Sequence, residues 1–124
     1  WLDESLLPCP ECAGLELVKV KIAEFSDEKF GKERPYTAPL HHLLKEVKEV
    51  IEESQTDHHS NKNSLIEFAD CLLLLLDAYR KRHPDLTTED LIKSALDKIE
   101  VCKTREWGKP DENGVIEHIR NNNL

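Results

Sequence analysis

The chain has 124 residues, of which 25 are acidic and 17 basic, giving a net charge of −8. That length is enough for one domain with a single core, and the acidic balance leaves no broad basic field to displace counterions, which excludes a nucleic-acid polymer as partner. No apolar run is long enough to cross a bilayer, and no charged-then-apolar signal segment opens the chain, so a cytoplasmic protein without a membrane partner is expected.

Residues 1–14 read as an N-terminal extension and residues 15–124 as one domain. The chain opens on Trp1 and contains no methionine, as a trimmed start would. The extension carries Cys9-Pro-Glu-Cys12, the spacing of half a zinc ribbon. A complete site needs four ligands, and Cys71 and Cys102 lie far along the chain on predicted helices. Reduced cysteines are therefore the leading interpretation, and zinc at Cys9 and Cys12, shared across a subunit interface, the lesser one.

Residues 15–30 alternate at Val18, Val20 and Ile22 like a strand, yet repeat at Leu15, Val18, Ile22 and Phe25 like a helix. Length and an all-helical context favour the helix, with Gly31 as its stop. Arg34, Pro35 and Tyr36 form a short connection, and Thr37 with Pro39 opens the next helix. On that helix Leu40, Leu43, Leu44, Val47, Val50 and Ile51 make an apolar stripe. Glu46, Glu49 and Glu53 fall within about 60° of one another beside it, and His42 shares their strip. Their three-residue spacing brings Glu46 and Glu49 to about 5–6 Å at Cβ.

The polar connection at residues 54–63 is short enough to make the following helix an antiparallel neighbour. That helix places Glu67, Asp70, Asp77 and Lys81 on one strip of an otherwise nearly apolar surface that includes the leucines of residues 72–76. A helix apolar on most sides is a buried one. In antiparallel register Glu49 faces Asp70, Glu53 faces Glu67, and His42 comes near Asp77. Carboxylates at the edge of a dry seam cost several kcal/mol each unless paired or bound to metal, so two facing acidic strips call for a cation. Oxygen donors without cysteine or histidine at ligand spacing favour Mg²⁺, with Mn²⁺ as a substitute, over zinc. The bland alternative is an exposed acidic face with Ser64-x-x-Glu67 as a capping box.

Pro84 ends this helix, and Thr87 with Asp90 marks the next N-terminus. The last helix turns Leu91, Ile92, Ala95, Leu96 and Ile99 inward and carries Lys98, Lys103 and Arg105 toward its end. Cations there also suit a helix C-terminus with no ligand at all. Residues 109–114 are turn chemistry.

The string Glu46-x-x-Glu49, seventeen residues, then Glu67-x-x-Asp70 resembles the metal signature of the MazG-like all-α nucleoside triphosphate pyrophosphohydrolases. The flanking words "RPYTAPLHHLLKEVKEV", "EFADCLLLLLDAYR" and "KIEVCKTREWGKPDENGVIEHIR" are similar to those of its dATP/dGTP diphosphohydrolase subgroup, the MazZ-like enzymes of phages and bacteria. The resemblance covers about residues 25–120.

The resemblance implies an all-α bundle of four or five helices that converts dATP or dGTP to the monophosphate and pyrophosphate in a bacterial or phage-infected host cell. It further implies divalent ions held by Glu46, Glu49, Glu67 and Asp70. A carboxylate not fully occupied by metal, Glu49 or Glu53, is then the candidate general base. Lys103 and Arg105, and with less weight Lys98, are the expected phosphate contacts. Trp107 either stacks on a base or seals the core. Arg34, Tyr36 and His42 are suited to the base and sugar, against a plain alternative in which Tyr36 packs and the histidines are merely exposed. His118 and Arg120 belong to the resemblance without a physical role. A homodimer or homotetramer is implied as well. Two rivals stay open: a different pyrophosphate substrate on the same fold, or a non-enzymatic helical interaction module.

Overall fold

The computed structural model describes the backbone of residues 10–53 and 61–120 and the side chains of residues 13–53 and 64–120. Four helices follow in order: α1 (Pro10–Phe30), α2 (Thr37–Glu53), α3 (Asn61–Arg82) and α4 (Thr88–Lys103). Among the described residues, the one departure from helix and loop is an isolated antiparallel bridge between Trp107 and His118. The all-α expectation therefore holds. The Cys9 and Cys12 zinc alternative lies outside the described side chains.

The helix boundaries follow local chemistry. Gly31 adopts φ +90°, where a Cβ would be strained, and its N–H closes the last turn of α1 on Asp27 O at 3.1 Å. Pro39 sits in the first turn of α2 and is buried, a position where the missing N–H would have no helical partner anyway. Thr87 stands at the N-cap of α4, as its sequence signal predicts. Two features differ from expectation. α1 begins at Pro10, ahead of residue 15, and α3 begins at Asn61, which puts Ser64 one turn inside the helix. Ser64 and Glu67 therefore do not form a capping box, because that motif needs its serine at the N-cap.

The chain divides into two compact units, residues 1–89 and 90–124. In the first, α3 packs against both α1 and α2. Arg82 lies 5.6 Å over the Tyr36 ring, while Glu46 shares a cavity with Asp70. α2 and α3 thus run antiparallel. The buried centre is small: Leu76 and Ala78 from α3, Pro39 from α2, and the polar residues Ser26, Asp77 and Thr88.

The polar members are tied together. Ser26 Oγ donates to Asp77 Oδ2 at 2.9 Å, and Arg80 Nε donates to Asp77 Oδ1 at 2.8 Å. Arg80 also grips Asp27 in two places, at 3.0 and 2.9 Å, so α1 and α3 are joined by a charge-assisted fork. Hydrogen bonds from that guanidinium hold the Asp27 carboxyl below its usual range. A second tie anchors the start of α4, where Glu16 Oε2 accepts both the N–H and the hydroxyl of Thr88, at 2.7 and 2.6 Å.

Much of the apolar surface is not covered within the chain. Leu44 and Ile51 on α2 and Leu65, Ile66 and Phe68 on α3 are more than half exposed, and Leu72 and Leu75 are nearly so. The sequence pattern predicts a fully buried α3, but only its segment around Leu76 to Ala78 is sealed, because α1 and α2 cover one sector of a helix that is apolar all round. Likewise Leu96 and Ile99 of α4 are exposed rather than inward.

The second unit carries most of α4 and a reversed loop. Asp111 Oδ1 accepts the N–H groups of Asn113 and Val115, at 2.8 and 2.9 Å, and Gly114 supplies φ +80° to complete the turn. Hydrogen bonds from Gly108 N to Glu117 O and from Ile119 N to Glu106 O close the Trp107–His118 bridge.

Candidate functional site

A cavity of about 270 Å³ opens between α1, α2 and α3. One wall is apolar and comes from α1 and α3: Ile22, Phe25 and Phe30 face Leu73 and Leu74. Phe25 and Phe30 meet edge to face with ring centroids 5.7 Å apart, and the Arg34 guanidinium lies 5.0 Å over Phe30. The other wall is polar, with His42 and Glu46 from α2 opposite Asp70 and Asp77 from α3.

The carboxylates gather at one end of this cavity. Cys71, half-buried on α3, has its thiol pushed up by burial and then by the negative charges of Glu46, Asp70 and Glu67. Three acids from two helices therefore act on Cys71. Glu46 is four-fifths buried and its Oε1 lies 3.2 Å from His42 Nε2. Glu67 turns Oε2 into the protein, away from solvent. Glu53 is half-buried at the end of α2, whereas Glu49 is exposed.

The pairs expected from the sequence are Glu49 with Asp70 and Glu53 with Glu67. Glu46, not Glu49, shares the cavity with Asp70. Facing pairs depend on how far two helices slide along each other, and the spacing within either helix leaves that free. Among the described residues, no three His, Cys, Asp or Glu side chains stand in ready metal-ligand geometry. Like charges repel across the seam, and Glu46 is turned toward His42 instead.

Of the residues expected to meet a base or sugar, Arg34 and His42 line the cavity. Arg34 Nη1 also donates to Ser26 Oγ at 3.2 Å. Tyr36 instead lines a separate apolar groove with Leu40, Leu75 and Tyr79. Its ring packs under Arg82.

Lys98, Lys103, Arg105 and Trp107 lie beyond residue 90 and are described within the second unit. There burial and the charges of Arg105, Arg120 and Lys98 push the His118 imidazole below its usual range. His118 and Arg120, which have no role at sequence level, thus join Lys98 and Arg105 in one basic cluster. Lys103 takes a different course, pairing with Glu100 at 3.0 Å on the exposed surface. Trp107 donates its indole N–H to Cys102 O at 3.0 Å, sets its ring edge to face against His118, and is 43% exposed, so it does not seal a core.

Sequence reasoning passed over the α1 side of the cavity: Ile22, Phe25, Ser26 and Phe30. Their i, i+3, i+4, i+8 spacing was the available signal, with Ser26 as the polar interruption of an apolar stripe. Pairing that serine with Asp77, the acid inside the α3 apolar run, required knowing which helix α1 packs on.

A family model described as dATP/dGTP pyrophosphohydrolase matches residues 18–123. A solved structure of the cyanophage S-2L MazG-like pyrophosphohydrolase, bound to dGDP and three catalytic Mn²⁺ ions per active site, is similar to this chain with a TM-score of 0.64 and 22% sequence identity. The likeness covers 86% of this chain and 94% of the cyanophage chain and extends to the fold. No curated protein sequence matches significantly.

Proposed function

The chain belongs to the dATP/dGTP pyrophosphohydrolase family, and from that premise we propose that the cavity between α1, α2 and α3 is the site where a deoxypurine nucleoside triphosphate is cut to its monophosphate and pyrophosphate. The observation that carries this assignment is the division of one cavity into an aromatic wall and a carboxylate end.

Glu46, Glu67 and Asp70, with Glu49 one turn along α2, are the residues that would hold divalent cations. The donor set fits: it is all oxygen, negatively charged, and contributed by two packed helices, which suits Mg²⁺ or Mn²⁺. Divalent ions held there would supply positive charge against that developing on the phosphate and would make a water more acidic. Glu46 would exchange its contact with His42 for the cation. Glu49 and Glu53 are the candidates to take a proton from the attacking water.

Phe25 and Phe30 offer a face on which a purine can stack, and Ile22, Leu73 and Leu74 exclude water from it. Arg34 stacks on Phe30 and holds the aromatic wall in place. His42 lines the same cavity and contacts Glu46, and its imidazole suits a sugar hydroxyl. Within the second unit, Lys98, Arg105 and Arg120, together with Lys103, are the cations whose chemistry suits phosphate groups.

A second copy of the chain is assigned to the apolar surface of α2 and α3. Leu40, Leu44, Val47 and Ile51 recur every three to four residues along one face of α2 and are all more than one-third exposed. Such a stripe is self-complementary in a two-fold dimer. Sedimentation equilibrium should give a dimer or tetramer, and Leu44→Glu should shift it to the monomer.

The activity is tested by a panel of ribo- and deoxyribonucleoside triphosphates with Mg²⁺ or Mn²⁺, separating monophosphate plus pyrophosphate from diphosphate plus phosphate. Pyrophosphate release from dATP or dGTP is expected. Preference for another nucleotide would retain the metal site and discard the base assignment, and no turnover with any member would overturn the proposal.

A further inference from the structure

A second cleft, of about 390 Å³, lies where the α1–α2 connection meets the C-terminal end of α3. Lys32, Arg34, Arg80 and Lys81 line it, against a single lining acid, Asp27. Asp27 and the buried Asp77 are both held by Arg80. The two carboxylates offset two of the four cations, and two positive charges remain. In a chain of net charge −8, that is a local reversal of sign.

Lys81 makes the point sharper. Its side chain is only 8% exposed, yet its ion-pair partner, Asp27 Oδ1, stands 3.9 Å away, beyond hydrogen-bond reach. Both Asp27 oxygens already accept from Arg80. The ammonium carries three donors on a packed stem, and the cleft it lines is where an anion's acceptors can enter. A phosphate group carries about −1.5 to −2 charges and three acceptor oxygens, which matches the excess.

We propose that this cleft is a second anion site, taking a phosphate or pyrophosphate group, distinct from the carboxylate cavity and linked to it by Arg34. Arg34 lines both cavities and donates to Ser26, which in turn donates to Asp77. An anion in the cleft therefore competes with Ser26 for Arg34, and its occupancy is felt on the aromatic wall through the Arg34–Phe30 stack. The proposal does not rest on the activity assigned above.

The test is isothermal titration of the full chain in EDTA with sodium pyrophosphate and with sodium phosphate, ionic strength being held constant with sodium chloride. Saturable binding is expected, weakened at least about tenfold by Lys81→Met and by Lys32→Ala. Lys32 is exposed, so its variant keeps the measurement sound if the buried lysine proves necessary for folding. Asp70→Asn should leave binding unchanged. Competition by metal-free dATP would identify the anion as a nucleotide's phosphate tail, and its absence would identify a free inorganic anion; each supports the site. Heats equal to those of sodium chloride, binding that survives both lysine changes, or binding lost in Asp70→Asn would overturn it.

Discussion

Replacing Glu16 by Gln should destabilise the protein in a way that disappears with acid. Glu16 Oε2 accepts two hydrogen bonds from Thr88, while Oε1 lies 2.7 Å from Lys19 Nζ. Burial by itself would raise this carboxyl, but the hydrogen bonds from Lys19 and Thr88 outweigh it and lower the group from 4.5 to about 2. That interval corresponds to about 3.4 kcal/mol. The side chain is 34% exposed, so solvent screening reduces the usable part to about 1–2 kcal/mol.

The sign follows from linkage. A carboxyl whose folded pKa is depressed stabilises the fold above its unfolded value of 4.5, and the contribution is lost as pH falls toward the folded value of about 2. At pH 3 about two-fifths of it should remain. Urea unfolding of wild type and Glu16→Gln at 25 °C, from pH 7 down to pH 3, should show a gap of about 1–2 kcal/mol that narrows by more than half. An equal gap at both ends of the range, or none at pH 7, would refute the reasoning.

Asp77→Ala strips the buried Arg80 and Ser26 of a shared partner and should cost about 3–5 kcal/mol, seen as a loss of at least about 10 °C in Tm. Asp27→Ala, at a more exposed end of the same fork, should cost less. Glu46→Gln and Asp70→Asn should each abolish turnover while leaving the metal-free Tm equal to or above that of wild type, since each relieves like-charge repulsion. Mn²⁺ should raise the Tm of the wild type but not of either variant, by mass action on the folded state; full activity in either would sink the metal assignment. Phe30→Ala should raise KM for dATP or dGTP about five- to tenfold with little change in kcat, because stacking is made equally in ground and transition states. A change confined to kcat would place Phe30 elsewhere in the cycle.

The parts of the fold legible in the sequence are those governed by interactions within one helical turn. Gly31 ends α1, Thr37 and Pro39 open α2, and Thr87 caps α4, because each signal acts on backbone groups three or four residues away. The same holds for the pairing of Glu46 with Glu49 and of Glu67 with Asp70, which follows from the helical repeat. Family membership was legible for a related reason: the two acidic pairs and the words around them are linear strings.

What lies across helices was not legible. An antiparallel neighbour was inferred for α2 and α3, but sliding one helix by a turn leaves its own pattern intact, so which α2 acid shares a cavity with Asp70 had to come from the tertiary packing. The role of α1 was hidden too, since Phe25, Ser26 and Phe30 acquire meaning only once α3 brings Leu73, Leu74 and Asp77 against them. Lys81 shows the same division in one residue. By itself, its sequence determined a cation on the strip shared with Asp77; only the tertiary structure decided that the side chain is packed to 8% exposure with its ammonium 3.9 Å from a carboxylate already taken by Arg80, because packing and the competition for acceptors are properties of segments distant in the chain.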